Sequence, residues 1–131
     1  MEAIVACVLE NRSSGQVDVF FVTEERICTL HEEHFNDPSP TDCMTFPMDP
    51  PGPDCEMLGT VFVCPKTAIC YCEDQGTDAY EECTLYIVHG LLHLLGLRDK
   101  TESEQKEMRQ AETKCMDLLR SRHLILTPPT C

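Results

Sequence analysis

The run His89-Gly90-Leu91-Leu92-His93-Leu94-Leu95-Gly96-Leu97-Arg98-Asp99 constrains the fold of this chain more than any other stretch. Two histidines stand four residues apart inside an apolar segment. Residues at i and i+4 share one helix face, about 6 Å apart along the axis, so both imidazoles can point at one metal ion. Gly96 can end the helix in a left-handed turn, and the chain can then return Asp99 to the same point. Three protein ligands with one open position make the pattern of a catalytic zinc site rather than a structural one. The competing reading is a pair of hydrogen-bonded core histidines. Leu91, Leu92, Leu94, Leu95 and Leu97 offer no side-chain partner, and an unpartnered buried imidazole costs about 1–3 kcal/mol. A divalent cation satisfies both rings at once.

Two imidazole nitrogens and one carboxylate suit zinc best, ahead of nickel, cobalt or manganese. One anionic ligand leaves the ion positive, able to activate water or polarise a carbonyl or phosphoryl oxygen. Hydrolysis follows, with the metal's water as its agent and no separate catalytic side chain assigned. Zinc proteases of the HExxH type carry a glutamate directly after the first histidine as general base. Here that position is Gly90, so peptide hydrolysis ranks low. A glycine inside a helix costs up to about 1 kcal/mol relative to alanine, and its expected use is close packing against a neighbouring strand.

Around this helix the chain reads as a mixture of short elements. Residues 1–10 suggest a short helix. Val17–Val22 is β-branched and aromatic, hence a strand, and Thr23 is placed to cap a helix reaching Phe35. The segment 36–58 holds six of the nine prolines and reads as loop, with a short strand over Cys43–Phe46 stopped by Pro47. Thr60–Cys64 is a further strand. Pro65 suits the first turn of a helix running to about Asp74, broken by Gly76. Thr77 is the expected cap of the histidine helix, 78–95. Thr101 and Glu104 form a capping box for a last helix to about Arg122. The tail with Pro128, Pro129 and Cys131 is expected to fray.

A chain of 131 residues predicts one domain over 1–131. The stretch near Thr84–Leu97 is the longest apolar one, and His89, Gly90 and His93 interrupt it, so no membrane span is expected. The start, Met1 to Glu10, has no positive region and does not read as a signal peptide. The ten cysteines are irregularly spaced and contain no CxxC, so they are expected to be reduced apolar residues of a cytoplasmic protein. Net charge is −13, unevenly spread: seven of the ten basic residues lie between Arg98 and Arg122. That segment carries +1 and the remainder −14. Most of the surface repels a phosphate backbone, so a nucleic acid would approach the side carrying the last third, where Arg98 and Lys100 flank Asp99. Lys106, Arg109 and Lys114 alternate with Glu104, Glu107 and Glu112 in the manner of a solvated helix.

The stretch from His89 to Asp99 resembles the signature of the YbeY family of bacterial ribosomal RNA maturation endoribonucleases, an HGxLHLxGxxH-like run whose three histidines bind a metal. The match covers His89, Gly90, Leu92, His93, Leu94 and Gly96, with Asp99 in place of the third histidine. Pro40-Thr41-Asp42-Cys43-Met44-Thr45-Phe46-Pro47 is similar to the family's PTDVLSFP segment. Leu58-Gly59-Thr60-Val61-Phe62-Val63-Cys64-Pro65 is similar to its LGDIVIC segment, with Thr60 replacing an acid. The three motifs keep one order over roughly residues 17–122. The family often carries an arginine shortly before the PTD segment; His34-Phe35-Asn36-Asp37 stands there instead, so no catalytic arginine is carried over. The family also opens with a strand before its first helix, whereas this chain is expected to begin at the helix.

The resemblance implies an α+β fold, with a small mixed sheet of three or four strands packed against helices that include the histidine helix. It implies a metal-dependent, single-strand-specific endoribonuclease acting in small-subunit ribosomal RNA 3′-end processing and ribosome quality control. One Zn2+ per chain would be held by His89, His93 and Asp99. The partners would be ribosomal RNA and the small ribosomal subunit, with no membrane and no DNA. A non-catalytic assembly factor, its fold stabilised by the metal, is the alternative, favoured by the acidic surface and the missing arginine. A metallopeptidase comes third.

Overall fold

The computed structural model of the chain describes residues 1–10, 12–39 and 41–127. The fold is α+β, as expected, and the described residues form five helices and a three-stranded mixed sheet. In chain order the elements are α1 (Glu2–Leu9), β1 (Gln16–Phe21), α2 (Glu24–Phe35), β2 (Cys43–Pro47), β3 (Met57–Val63), α3 (Pro65–Gln75), α4 (Ala79–Leu94) and α5 (Glu102–Ser121). The last prolines and Cys131 lie outside the described residues.

β3 is the central strand, paired parallel to β1 and antiparallel to β2. Its sequence explains that position. Leu58, Val61 and Val63 are fully buried, and a strand covered on both faces needs an almost continuous apolar run. The strand begins at Met57, three residues before the expected start, because Met57, Leu58 and Gly59 extend the ladder to both neighbours. Pro47 closes β2, which is an edge strand, where a missing N–H costs no ladder bond.

The sheet is covered on both faces. Thr45 and Val61 meet α4, while Met44, Phe46 and Phe62 pack with Ile27 and Leu30 of α2. Gly90 sets how closely α4 approaches the sheet. A Cβ at this position would stand 2.6 Å from Val61 Cγ1 and 3.3 Å from Thr45 Cγ2, so the expected strand contact is present. The remaining core joins Ile87, Val88, Leu91 and Leu92 of α4 to Met108, Cys115, Met116 and Leu119 of α5, with α1 against both.

The helix caps follow the sequence with one correction. Thr23 accepts from Arg26 N, and Thr101 and Glu104 form the complete capping box. The cap of α4 is Asp78 rather than Thr77: its carboxylate accepts from Tyr80 N at 2.9 Å. A carboxylate at a helix N-terminus also meets the positive end of the helix dipole. The nine described cysteines form no disulfide. No described helix is long and apolar enough to cross a membrane.

Candidate metal centre

The end of α4 delivers the three expected residues to one point. Gly96 takes φ +104°, a conformation that L side chains rarely adopt. Gly96 N–H then donates to His93 O and Leu97 N–H to Leu92 O, at 3.0 and 3.1 Å. This pair of bonds is a Schellman closure, and it turns the chain so that Asp99 faces back to the helix. Asp99 Oδ2 lies 3.4 Å from both His89 Nε2 and His93 Nε2, and the two nitrogens are 3.0 Å apart. Both histidine side chains are about three-quarters covered, with 23% and 25% exposed.

Hydrogen bonds on the far side of each ring fix what the near side presents. His93 Nδ1 is 3.0 Å from the Leu97 carbonyl oxygen, which can only accept, so Nδ1 carries the proton. His89 Nδ1 donates to Glu112 Oε2 at 2.5 Å. Each neutral ring therefore turns an Nε2 lone pair toward the other and toward the Asp99 carboxylate. Three acceptors converge with no donor among them. A tetrahedral ion with bonds of roughly 2.0–2.1 Å spaces its ligand atoms about 3.3–3.4 Å apart, and the separations here are 3.0, 3.4 and 3.4 Å. His89, His93 and Asp99 could thus hold a metal ion, and they are the only such group among the described residues.

Without an ion, the arrangement favours a proton. Burial opposes charge on His89, but the Glu112 hydrogen bond and the charges of Glu112, Asp42 and Asp99 outweigh it and raise the pKa. Cys43, on the cleft wall, shifts upward too. Burial and the nearby Asp42, Asp99 and Glu112 carboxylates keep its thiol protonated, so it is a poor nucleophile at neutral pH.

Glu112 corrects the reading of α5 as a solvated helix. Its side chain is only 16% exposed, and it lies in register with Met108, Cys115, Met116 and Leu119, the buried stripe of α5. A carboxylate on an apolar helix stripe was the available signal. A carboxylate behind a ligand histidine fixes its tautomer and raises its basicity. The site opens into a cleft of about 310 Å³ walled by His31, Phe35, Thr41, Asp42, Thr45 and the triad.

The sequence profile of the family described as Endoribonuclease YbeY matches residues 1–120. The chain belongs to the YbeY family. Curated YbeY relatives include Endoribonuclease YbeY of Protochlamydia amoebophila, 43% identical over 129 residues, covering 96% of this chain and 86% of that one. Endoribonuclease YbeY of Chlamydia caviae is 41% identical over 119 residues, covering 87% of this chain and 75% of its own. Among solved structures, a Thermotoga maritima protein determined in solution superimposes with TM-score 0.68 at 22% identity, covering 99% of this chain and 88% of the other. That likeness supports the fold. Where the signature it resembles has a third histidine, Asp99 directs a carboxylate oxygen at the histidine pair.

Proposed function

We propose that this chain is a metal-dependent, single-strand-specific endoribonuclease of ribosomal RNA maturation, with zinc held by His89, His93 and Asp99. The observation that carries the reading is the convergence of three acceptor atoms, within 3.4 Å of one another, on a cleft open to solvent. Membership of a family whose relatives are named endoribonucleases supplies the bond type.

When bound, a divalent ion supplies Lewis acidity and activates water for hydrolysis near neutral pH. The chain's own residues prepare that chemistry. Glu112 and the Leu97 carbonyl accept from the Nδ1–H of the two imidazoles, so each Nε2 is the atom left to ligate once the proton favoured on His89 gives way to the ion. Gly96 fixes the direction from which Asp99 approaches. Arg98 and Lys100, on either side of Asp99, offset the local acidity where a phosphate must come close. Ribosomal RNA and the small subunit are the proposed partners, and the cytoplasm the proposed location.

The test is turnover of a defined RNA carrying the small-subunit 3′ end, single-stranded or annealed to its complement. The expected result is cleavage of the single strand alone, abolished by Asp99→Ala. Binding to the small subunit without any turnover would replace this reading with the non-catalytic assembly factor.

A further inference from the structure

Phe35 is the last residue of α2 and leaves 64% of its surface in solvent. It lines the cleft that leads to His89, His93 and Asp99. Its position is well fixed. Asn36 closes α2 in the left-handed conformation, donating its N–H to Glu32 O. Asp37 Oδ1 then accepts from both N–H and Oγ of Ser39, and Ser39 O sits 2.9 Å from His31 Nδ1. The ring of His31 is thereby tied to the loop, and it backs Phe35 with centroids 5.4 Å apart at 58°. One side of Phe35 is supported and the ring remains open to solvent.

What sets Phe35 apart from the other exposed apolar side chains is its place at the mouth of the polar, acidic cleft, where its ring offers an apolar face to whatever enters. The protein as a whole carries −13, so phosphate pairing gives a strand little affinity here. Single-stranded RNA presents unstacked bases, and proteins capture these on aromatic rings, whereas duplex bases are already stacked. We infer that Phe35 is a nucleobase-stacking residue that holds one base of a single-stranded RNA at the mouth of the metal cleft. The inference rests on the endoribonuclease reading and adds a residue that accounts for strand selectivity: a paired base has no free face to offer Phe35. It touches a base rather than the reacting phosphate, so its contribution falls on binding.

The chain contains no tryptophan, so Phe35→Trp introduces the sole indole at the cleft mouth. Its fluorescence should be quenched by single-stranded 2′-O-methyl RNA, which resists cleavage, and not by the same strand in a duplex or by an abasic strand. In cleavage assays Phe35→Ala should raise KM roughly 5- to 150-fold, the worth of one base–aromatic stack, with kcat changed far less. Phe35→Tyr and Phe35→Trp should restore KM. Equal quenching by duplex and single strand, or an unchanged KM in Phe35→Ala while RNA is still cleaved, overturns the inference and leaves the endoribonuclease reading intact. Quenching specific to single strands in a protein that cleaves no RNA does the reverse. Phe35 would then stand as an RNA-binding residue and the nuclease reading would fall.

Discussion

The two walls of the cleft are built by different rules. One wall, from His89 to Asp99, is a single stretch of eleven residues in which helix periodicity and one glycine turn bring the donor atoms together. The other comes from residues that meet only through packing: His31 and Phe35 at the end of α2, Asp42 and Thr45 around β2, with Glu112 behind from α5. The comparison teaches that local spacing specifies which acceptor atoms converge, while tertiary contacts set their protonation and shape the cleft in front of them. Changes on the first wall should therefore abolish metal binding, and changes on the second should tune it.

The largest expected effect is on the first wall. His93→Ala leaves two ligands, which rarely retain an ion against a chelator, and cleavage should fall to background. Asp99→Ala should do the same, whereas Asp99→His, which restores the family's residue, should keep the metal. A metal-replete Asp99→Ala protein would break the distinction between the walls.

Glu112→Gln comes next. The amide can still face His89 Nδ1 but carries no charge, so metal affinity should drop about 10- to 100-fold without vanishing, the usual range for the partner behind a ligand histidine. Competition with a metallochromic chelator measures it. A complete loss would move Glu112 into the same class as the ligands.

The raised pKa of His89 gives a pH dependence whose sign reverses with the metal. In metal-free protein, protonated His89 is stabilised by Glu112. That stability is fully present below the unfolded pKa and is lost as pH rises through the folded value. In loaded protein the proton competes with the ion, so stability should instead grow over the same rise. Melting temperatures across that interval, with and without zinc, should run in opposite directions, and Glu112→Gln should flatten the metal-free curve. Parallel curves would contradict the assignment of His89.

The smallest effect concerns the scaffold both walls share. Gly90→Ala gains up to about 1 kcal/mol of helix propensity but drives a methyl against Val61, an overpacking cost of about 1–3 kcal/mol. A net loss of about 1 kcal/mol, read by denaturant unfolding, is expected. A stabilised variant would mean that α4 can move off the sheet without cost.

The same division explains what the chain's sequence made legible. The histidine helix, the three strands and the capping box at Thr101 each depend on neighbours within a few residues, so their periods and turn residues announce them. The cap of α4 falls one residue beyond Thr77 because Thr77 and Asp78 are both good N-caps, and only backbone direction chooses between them. Glu112 was hidden by the charge alternation on α5, and its partner lies twenty-three residues away. Phe35 read simply as the end of an apolar helix pattern. Its exposure depends on where the loop through Ser39 folds.

The most direct test of the central claim is the metal content of purified chain, measured by elemental analysis after dialysis against a weak chelator, beside His93→Ala. Three converging acceptors predict about one divalent ion per wild-type chain and almost none in His93→Ala. An equal metal content in both proteins, or none in the wild type after zinc is supplied, would contradict it.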